Sequence, residues 1–250
     1  MRDWQPAADL LAERIVLITG AANGIGLALS QAMAAHGATV VMLDKDVHGL
    51  EHAYDDIVAA GHSEPALYPM DLQGAVPDDY AALAETLDRE FGRLDGLVHN
   101  AAHLGALVPL ANYDHGLWLQ TLQVNLHAPY LLTTACLGLL AASRDASIVF
   151  TGDAVGRRGK AYWGAYAVSK AGLENLMQVL ADELESNTSI RVNSIDPGPV
   201  LTAMYRIAYP GIDSASLPGP ADVVKPFVYL CSNEARGITG RQLSVAELLA

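Results

Sequence analysis

The sequence predicts an α/β fold: one doubly wound parallel sheet of about seven strands, with helices on both faces. Three observations predict it. Short apolar, β-branched runs alternate with helical patterns from end to end. A glycine-rich loop stands between the first such run and the first helix. The chain has 250 residues, 51% apolar and 17% charged, enough for one sizeable core. Residues 1–250 therefore read as a single domain, without internal repeat or low-complexity segment.

Residues 14–18 open the series as a buried strand, and residues 27–36 follow as a helix ended by Gly37. Further strands are expected at 39–44, 66–71, 94–99, 147–151, 190–195 and 242–245. Their alternation with helices implies right-handed crossovers, hence parallel strands. One stretch, 209–220, is rich in Pro, Gly and Ser. It follows a strand C-terminus, where ligands bind in such sheets. Residues 200–220 thus read either as a mobile lid over a substrate or as a plain surface loop.

Composition excludes some functions. With 15 basic and 28 acidic residues the net charge is −13, which argues against nucleic acid as a partner. No apolar run reaches membrane-spanning length and no secretory signal precedes the first strand, so a cytoplasmic location without a membrane partner is expected. Cys136 and Cys231 lie in apolar, helix-like surroundings and read as reduced core thiols. No metal site is read.

The loop is Thr19-Gly20-Ala21-Ala22-Asn23-Gly24-Ile25-Gly26. Gly20 permits the sharp turn, Gly24 lets backbone approach a pyrophosphate, and Gly26 allows the helix to pack closely on the strand. The helix N-terminus offers free N–H groups and the positive end of its dipole to phosphate. Asp44 ends the second strand, 18 residues after Gly26. A carboxylate there accepts hydrogen bonds from ribose hydroxyls and repels a 2′-phosphate. With Asn23 rather than a basic residue before Gly24, NAD is expected over NADP, although Lys45 adjoins Asp44.

Far downstream, Tyr166 and Lys170 lie four residues apart in a helical stretch. That spacing puts phenol and ammonium on one face. A nearby cation stabilises phenolate, so Lys170 is expected to lower the pKa of Tyr166 toward acid/base work. Pro129 has no N–H to bond the carbonyl of Asn125, so a kinked helix with a free carbonyl is expected there.

With the glycine loop and the Tyr-x-x-x-Lys pair in these positions, the chain resembles the short-chain dehydrogenase/reductase family over nearly its whole length. Residues 156–166 and 177–183 look most like the YciK-type oxidoreductases. The resemblance implies a Rossmann-type fold, hydride transfer between nicotinamide and a secondary alcohol or ketone, and a homodimer or homotetramer. It implies Tyr166 as general acid/base, Lys170 as its assistant on the cofactor ribose, and Asn125 as holder of a relay water. The cofactor would be held by Gly20, Asn23, Gly24, Ile25, Gly26 and Asp44. Asp71 and Leu72 would contact adenine, and Asn100 and Ala101 the adjoining ribose. Past the sixth strand, Pro197 and Gly198 would belong to the cofactor-binding Pro-Gly segment, with Val200 and Thr202 contacting the nicotinamide carboxamide.

One position departs from the family. Thirteen residues before the tyrosine the family has a serine that donates to the substrate oxygen; here Asp153 stands there, flanked by Gly152 and Ala154. An ionised carboxylate cannot donate, and its like charge would raise the pKa of Tyr166. At about 4 Å and an effective dielectric near 20, it opposes a developing alkoxide by roughly 4 kcal/mol at the upper end. That is on the order of a thousandfold in rate. Asp153 could draw Lys170 away from Tyr166, serve as a donor if protonated, or bind a cationic or hydroxyl-rich substrate group; the residues alone leave all three open. A catalytically weak NAD(H)-binding sensor or scaffold is therefore the alternative function, ahead of a related lyase or epimerase.

Overall fold

Strand β1 (Ile15–Thr19) is buried over its last four residues and lies inside the sheet, with neighbours on both sides. The structure, a computed structural model, describes Met1 and residues 4–249. Beside β1 run β2 (Thr39–Asp44), β3 (Ala66–Pro69), β4 (Gly96–His99), β5 (Ser147–Thr151), β6 (Arg191–Asp196) and β7 (Gln242–Ser244). They form one sheet in the order β3-β2-β1-β4-β5-β6-β7, every pair parallel. The predicted strands are all present, two with the expected bounds and the others with ends shifted by one or two residues.

The helices are α1 (Gly24–Ala35), α2 (Val47–Ala59), α3 (Pro77–Phe91), α4 (His115–Leu122), α5 (Ala128–Ala141), α6 (Ala154–Arg157), α7 (Gly164–Glu185), α8 (Ala203–Ala208), α9 (Lys225–Leu230) and α10 (Val245–Leu249). Strand alternation divides the core in two. Val16 and Ile18 of β1 face α1, α2 and α9, packing with Leu29, Met33, Leu50, Ile57 and Phe227. Leu17, between them in sequence, points the other way and packs with Leu83, Leu132, Leu173 and Met177 of α3, α5 and α7. A strand buried on both faces has to be apolar throughout, which is why these strands read as continuous runs.

The run His115–Ala141 corrects one expectation. It is long and apolar enough to cross a membrane, with mean hydropathy 1.3 over its best window. Its composition has a local cause: Ala128, Leu132, Cys136, Leu139 and Leu140 belong to the core beneath the sheet. Inside this run Gln123–His127 is a π-turn, and the N–H of Ala128 bonds the carbonyl of Gln123. Pro129 is therefore accommodated by a widened turn rather than by the plain kink expected.

The sheet order reverses between β1 and β4. Loops leaving their C-terminal ends diverge to opposite faces and open a crevice there, the place where open α/β sheets bind ligands. Both cysteines are free and buried, as expected.

Candidate active site

The crevice begins at the glycine loop. Gly20 has φ +69°, and a Cβ on it would stand 2.9 Å from Cα of Ala101. A Cβ on Gly26 would fall 1.9 Å from the carbonyl oxygen of Gly20. Only hydrogen at Gly26 lets α1 lie this close to the turn. At Gly24, φ is +55° and a Cβ would meet nothing nearer than Cγ2 of Thr202 at 3.6 Å, so the backbone here borders open space. Asn23, at the N-cap of α1, makes no side-chain capping bond, so the N–H groups at the mouth of α1 have no cap to satisfy them. Free N–H groups at a helix N-terminus suit a phosphate.

Asp44, at the end of β2, holds this loop. Its Oδ2 accepts from the N–H of Ala22 at 3.0 Å, and its Oδ1 from the N–H of Asp46 at 3.1 Å. At the end of β4, Nδ2 of Asn100 donates to the carbonyls of Thr19 (3.1 Å) and Gly20 (3.3 Å). Asp71 is exposed and its Oδ1 accepts from the N–H of Gln73, pinning a turn beside buried Leu72. Beyond β6, Gly198 takes φ +72° and its N–H donates to Oδ1 of Asp196 at 2.8 Å. Val200 is buried, and Oγ1 of Thr202 caps α8 by accepting from the N–H of Tyr205 at 3.1 Å.

One cleft connects these groups with the Tyr166 site. Gly20, Asn23, Gly24, Ile25, Asp44, Asp71, Leu72, Asn100, Ala101, Asp153, Tyr166, Lys170, Pro197, Gly198, Val200 and Thr202 all line it. Its empty volume is about 1370 Å³, counted to the open mouth. Of the residues singled out in the sequence, Gly26 and Asn125 lie behind the wall. Gly26 sits under the turn. Asn125 is buried, and its Oδ1 accepts from the N–H of His103 at 2.6 Å while its Nδ2 donates to the carbonyl of His103 (2.9 Å) and to Oγ of Ser169 (3.0 Å). It ties the π-turn to the β4 loop and to α7.

At the centre, the Tyr166 hydroxyl donates to Oδ2 of Asp153 at 3.1 Å. The other oxygen of Asp153 accepts from the N–H of Val155 at 2.9 Å and caps α6. Nζ of Lys170 lies 5.6 Å from the Tyr166 ring centroid and donates to the carbonyl of Thr151 at 2.7 Å. Lys170 is thus not drawn onto Asp153. Thr151 contributes that carbonyl, while its own hydroxyl is buried without a partner.

The expected lowering of the Tyr166 pKa does not occur. Burial pushes it well above the ordinary value, and the Asp153 charge and hydrogen bond push the same way. Lys170 is lowered by its own burial, against the pull of Asp153, Glu174 and Asp196. Burial raises Asp196, with Asp153 adding to it. In this chain Asp153 works against the Tyr166 phenolate that Lys170 would favour.

Two groups here were not singled out in the sequence. Glu174 is buried on α7, its carboxylate joined to Arg157 at 3.1 Å and to the hydroxyl of Ser194. It lies four residues beyond Lys170, so helical spacing alone places it on the same face. Asp196 needed the loop geometry of Gly198 to reveal it.

Residues 14–210 match the family model described as short chain dehydrogenase. The chain belongs to the short-chain dehydrogenase/reductase family. It is 39% identical over 237 residues, 95% of its length and 93% of the other, to the uncharacterized oxidoreductase YciK of Escherichia coli (strain K12). A solved structure assigned to the short chain dehydrogenases of Pseudomonas syringae superposes with a TM-score of 0.94 at 44% identity, covering 98% of this chain and all of that one. Another, from Shigella flexneri and complexed with NADP, superposes with a TM-score of 0.93 at 38% identity, covering 96% of this chain and all of that one. Members of this family bind a nicotinamide cofactor, and the residues of the cleft fit one: a glycine turn open to the solvent side, uncapped helix N–H groups and a carboxylate at the end of β2. The expectation of NAD over NADP draws no support from these relatives, one of which holds NADP.

Proposed function

We propose that this protein is a dehydrogenase/reductase that moves a hydride between nicotinamide and a secondary alcohol or ketone, with Tyr166 as the acid/base. The observation that carries this reading is the convergence of Tyr166, Lys170 and Asp153 on one cleft with the glycine loop. Bound cofactor supplies the hydride acceptor or donor. Tyr166 holds or takes the proton of the substrate oxygen, Lys170 sets its environment, and Asn125 braces the α7 helix through Ser169. The protein would act in the cytoplasm as a homodimer or homotetramer. Exposed Tyr130 on α5 and Val168 and Val179 on α7 support pairing through those helices.

Asp44 supports NAD as the preferred cofactor, because its carboxylate stands at the ribose end of the cleft. Lys45 lines the same end, and its charge favours a 2′-phosphate there. Asp44→Asn keeps an oxygen acceptor for the N–H of Ala22 and removes the charge. It should shift the ratio of NAD to NADP dissociation constants toward NADP by about tenfold, the worth of about one charge-assisted contact. Titration of both cofactors against both proteins measures it, and an unchanged ratio removes Asp44 from the selectivity.

A second reading, a nicotinamide-binding sensor or scaffold with little turnover, is favoured by the Tyr166–Asp153 hydrogen bond, which occupies the acid/base with a neighbour. Formation of reduced cofactor across a panel of secondary alcohols separates the two readings. Turnover establishes the first; tight cofactor binding without turnover establishes the second.

A further inference from the structure

Asp153 brings a negative charge to the place where alcohol oxidation develops an alkoxide, and Lys170 and Lys160 feel that charge only at a distance, without an ion pair to it. Among the described residues none forms an ion pair with Asp153. Lys170 is spent on the carbonyl of Thr151, Arg157 on Glu174 and the carbonyl of Leu243, and Lys160 on the hydroxyl of Tyr209. Asp196 and Glu174 add negative charge behind it.

The wall beside Asp153 is aromatic. Trp163 lies 5.6 Å from Tyr166 and 5.9 Å from Tyr209, centroid to centroid, and Tyr205 lies 4.8 Å from Tyr209. Trp163 and Tyr205 line the cleft together with Asp153 and Met204. These ring faces already attract a cation: the ammonium of exposed Lys160 sits 5.7 Å from the Trp163 ring and 5.1 Å from that of Tyr209. A carboxylate with no ion-pair partner among the described residues, next to electron-rich ring faces, is the chemistry that recognises an alkylammonium.

We propose that the substrate carries an ammonium group on the carbon next to the one that exchanges hydride: a vicinal amino alcohol, or the α-amino ketone in the reverse direction. This rests on the oxidoreductase reading above and names its substrate class. The ammonium pairs with Asp153 against Trp163 and Tyr205, and the neighbouring oxygen meets the Tyr166 hydroxyl. In oxidation the carbinol C–H bond breaks, its electron pair leaving as hydride to oxidised nicotinamide. With Asp153 paired to the ammonium, Tyr166 first releases its own hydroxyl proton to solvent; the substrate O–H proton then passes to the phenolate so formed, and the C=O bond forms. The ammonium keeps its protons throughout. Its charge cancels that of Asp153, so the substrate itself supplies the compensation that a neutral alcohol lacks. A serine at this position would assist any alcohol; an aspartate assists one that brings a cation.

The test compares a vicinal amino alcohol with the isostere in which methyl replaces the ammonium. The expected result is a kcat/KM for the amino alcohol about ten- to a hundredfold higher, the range of one charge-assisted contact. In Asp153→Ser the preference should vanish and the neutral alcohol should improve. A separate readout needs no turnover: calorimetric binding of a simple alkylammonium without hydroxyl, which should be measurable in the unmodified protein and lost in Asp153→Ser and Asp153→Asn. Thermal melting of both variants checks that they fold. Equal or better turnover of the neutral isostere overturns the proposal while leaving the oxidoreductase reading in place. If neither alcohol is turned over, the binding measurement decides: Asp153-dependent ammonium binding upholds the subsite as the oxidoreductase reading falls, and its absence overturns both.

Discussion

Replacing Tyr166 by Phe is expected to lower kcat/KM by about a thousandfold, within the range of a positioned general acid/base, and to leave cofactor affinity nearly unchanged. The expectation of unchanged binding comes from the anchoring of Lys170. Its Nζ is held by the carbonyl of Thr151 at 2.7 Å, not by the phenol, so losing the hydroxyl leaves the ammonium in place. The ring of Tyr166 also remains to pack with Leu104, Trp163 and Ala167. What the variant loses is the proton carrier. Steady-state kinetics with cofactor titration measure both quantities. A fall in cofactor affinity that matches the fall in rate would mean that Tyr166 holds the site together rather than moving a proton.

The second large effect belongs to the glycine loop. Gly26→Ala places a methyl 1.9 Å from the carbonyl oxygen of Gly20 and 2.6 Å from Nδ2 of Asn100. Neither neighbour can yield easily. The carbonyl of Gly20 belongs to a turn whose N–H is bonded to Leu43, and Nδ2 of Asn100 spans the carbonyls of Thr19 and Gly20. Overpacking of rigid backbone costs about 3 kcal/mol at the upper end of its usual range, and for a chain of this size that lowers Tm by roughly 6–12 °C. The displaced turn should also abolish cofactor binding. Gly159→Ala is the control, since a Cβ there meets nothing within 4 Å. Melting curves of both variants, with and without cofactor, test this. An unshifted Tm for Gly26→Ala would contradict the close packing described.

Much of the fold was legible because the central strands β1, β2 and β4 are largely apolar on both faces. Leu17 facing one core and Val16 and Ile18 the other is the physical cause of an uninterrupted apolar run, and such runs separated by helical patterns leave few arrangements. The glycine positions were legible for a related reason: backbone approach at Gly20 and Gly26 tolerates no side chain, so the chemistry shows in residue type. Asp153 was visible as an anomaly, but its partners were not. Whether Lys170 turns to Asp153 or to the carbonyl of Thr151 depends on where the end of β5 lies against α7, which no local pattern encodes. The rise that Asp153 gives the Tyr166 pKa was legible, but the larger cause, burial, was not, since it arises only when α7, α8 and the β4 loop close around the ring. Pro129 announced an irregular helix, yet its form, a π-turn through Asn125, depends on the bonds Asn125 makes to His103 and Ser169.

The measurement that bears most directly on the central claim is label transfer from reduced cofactor carrying deuterium at nicotinamide C4, with a ketone substrate and product analysis by mass spectrometry and NMR. Deuterium on the product carbinol carbon, lost in Tyr166→Phe, is the predicted result. Tight cofactor binding with no deuterium reaching any product would contradict the assignment of hydride transfer to this site.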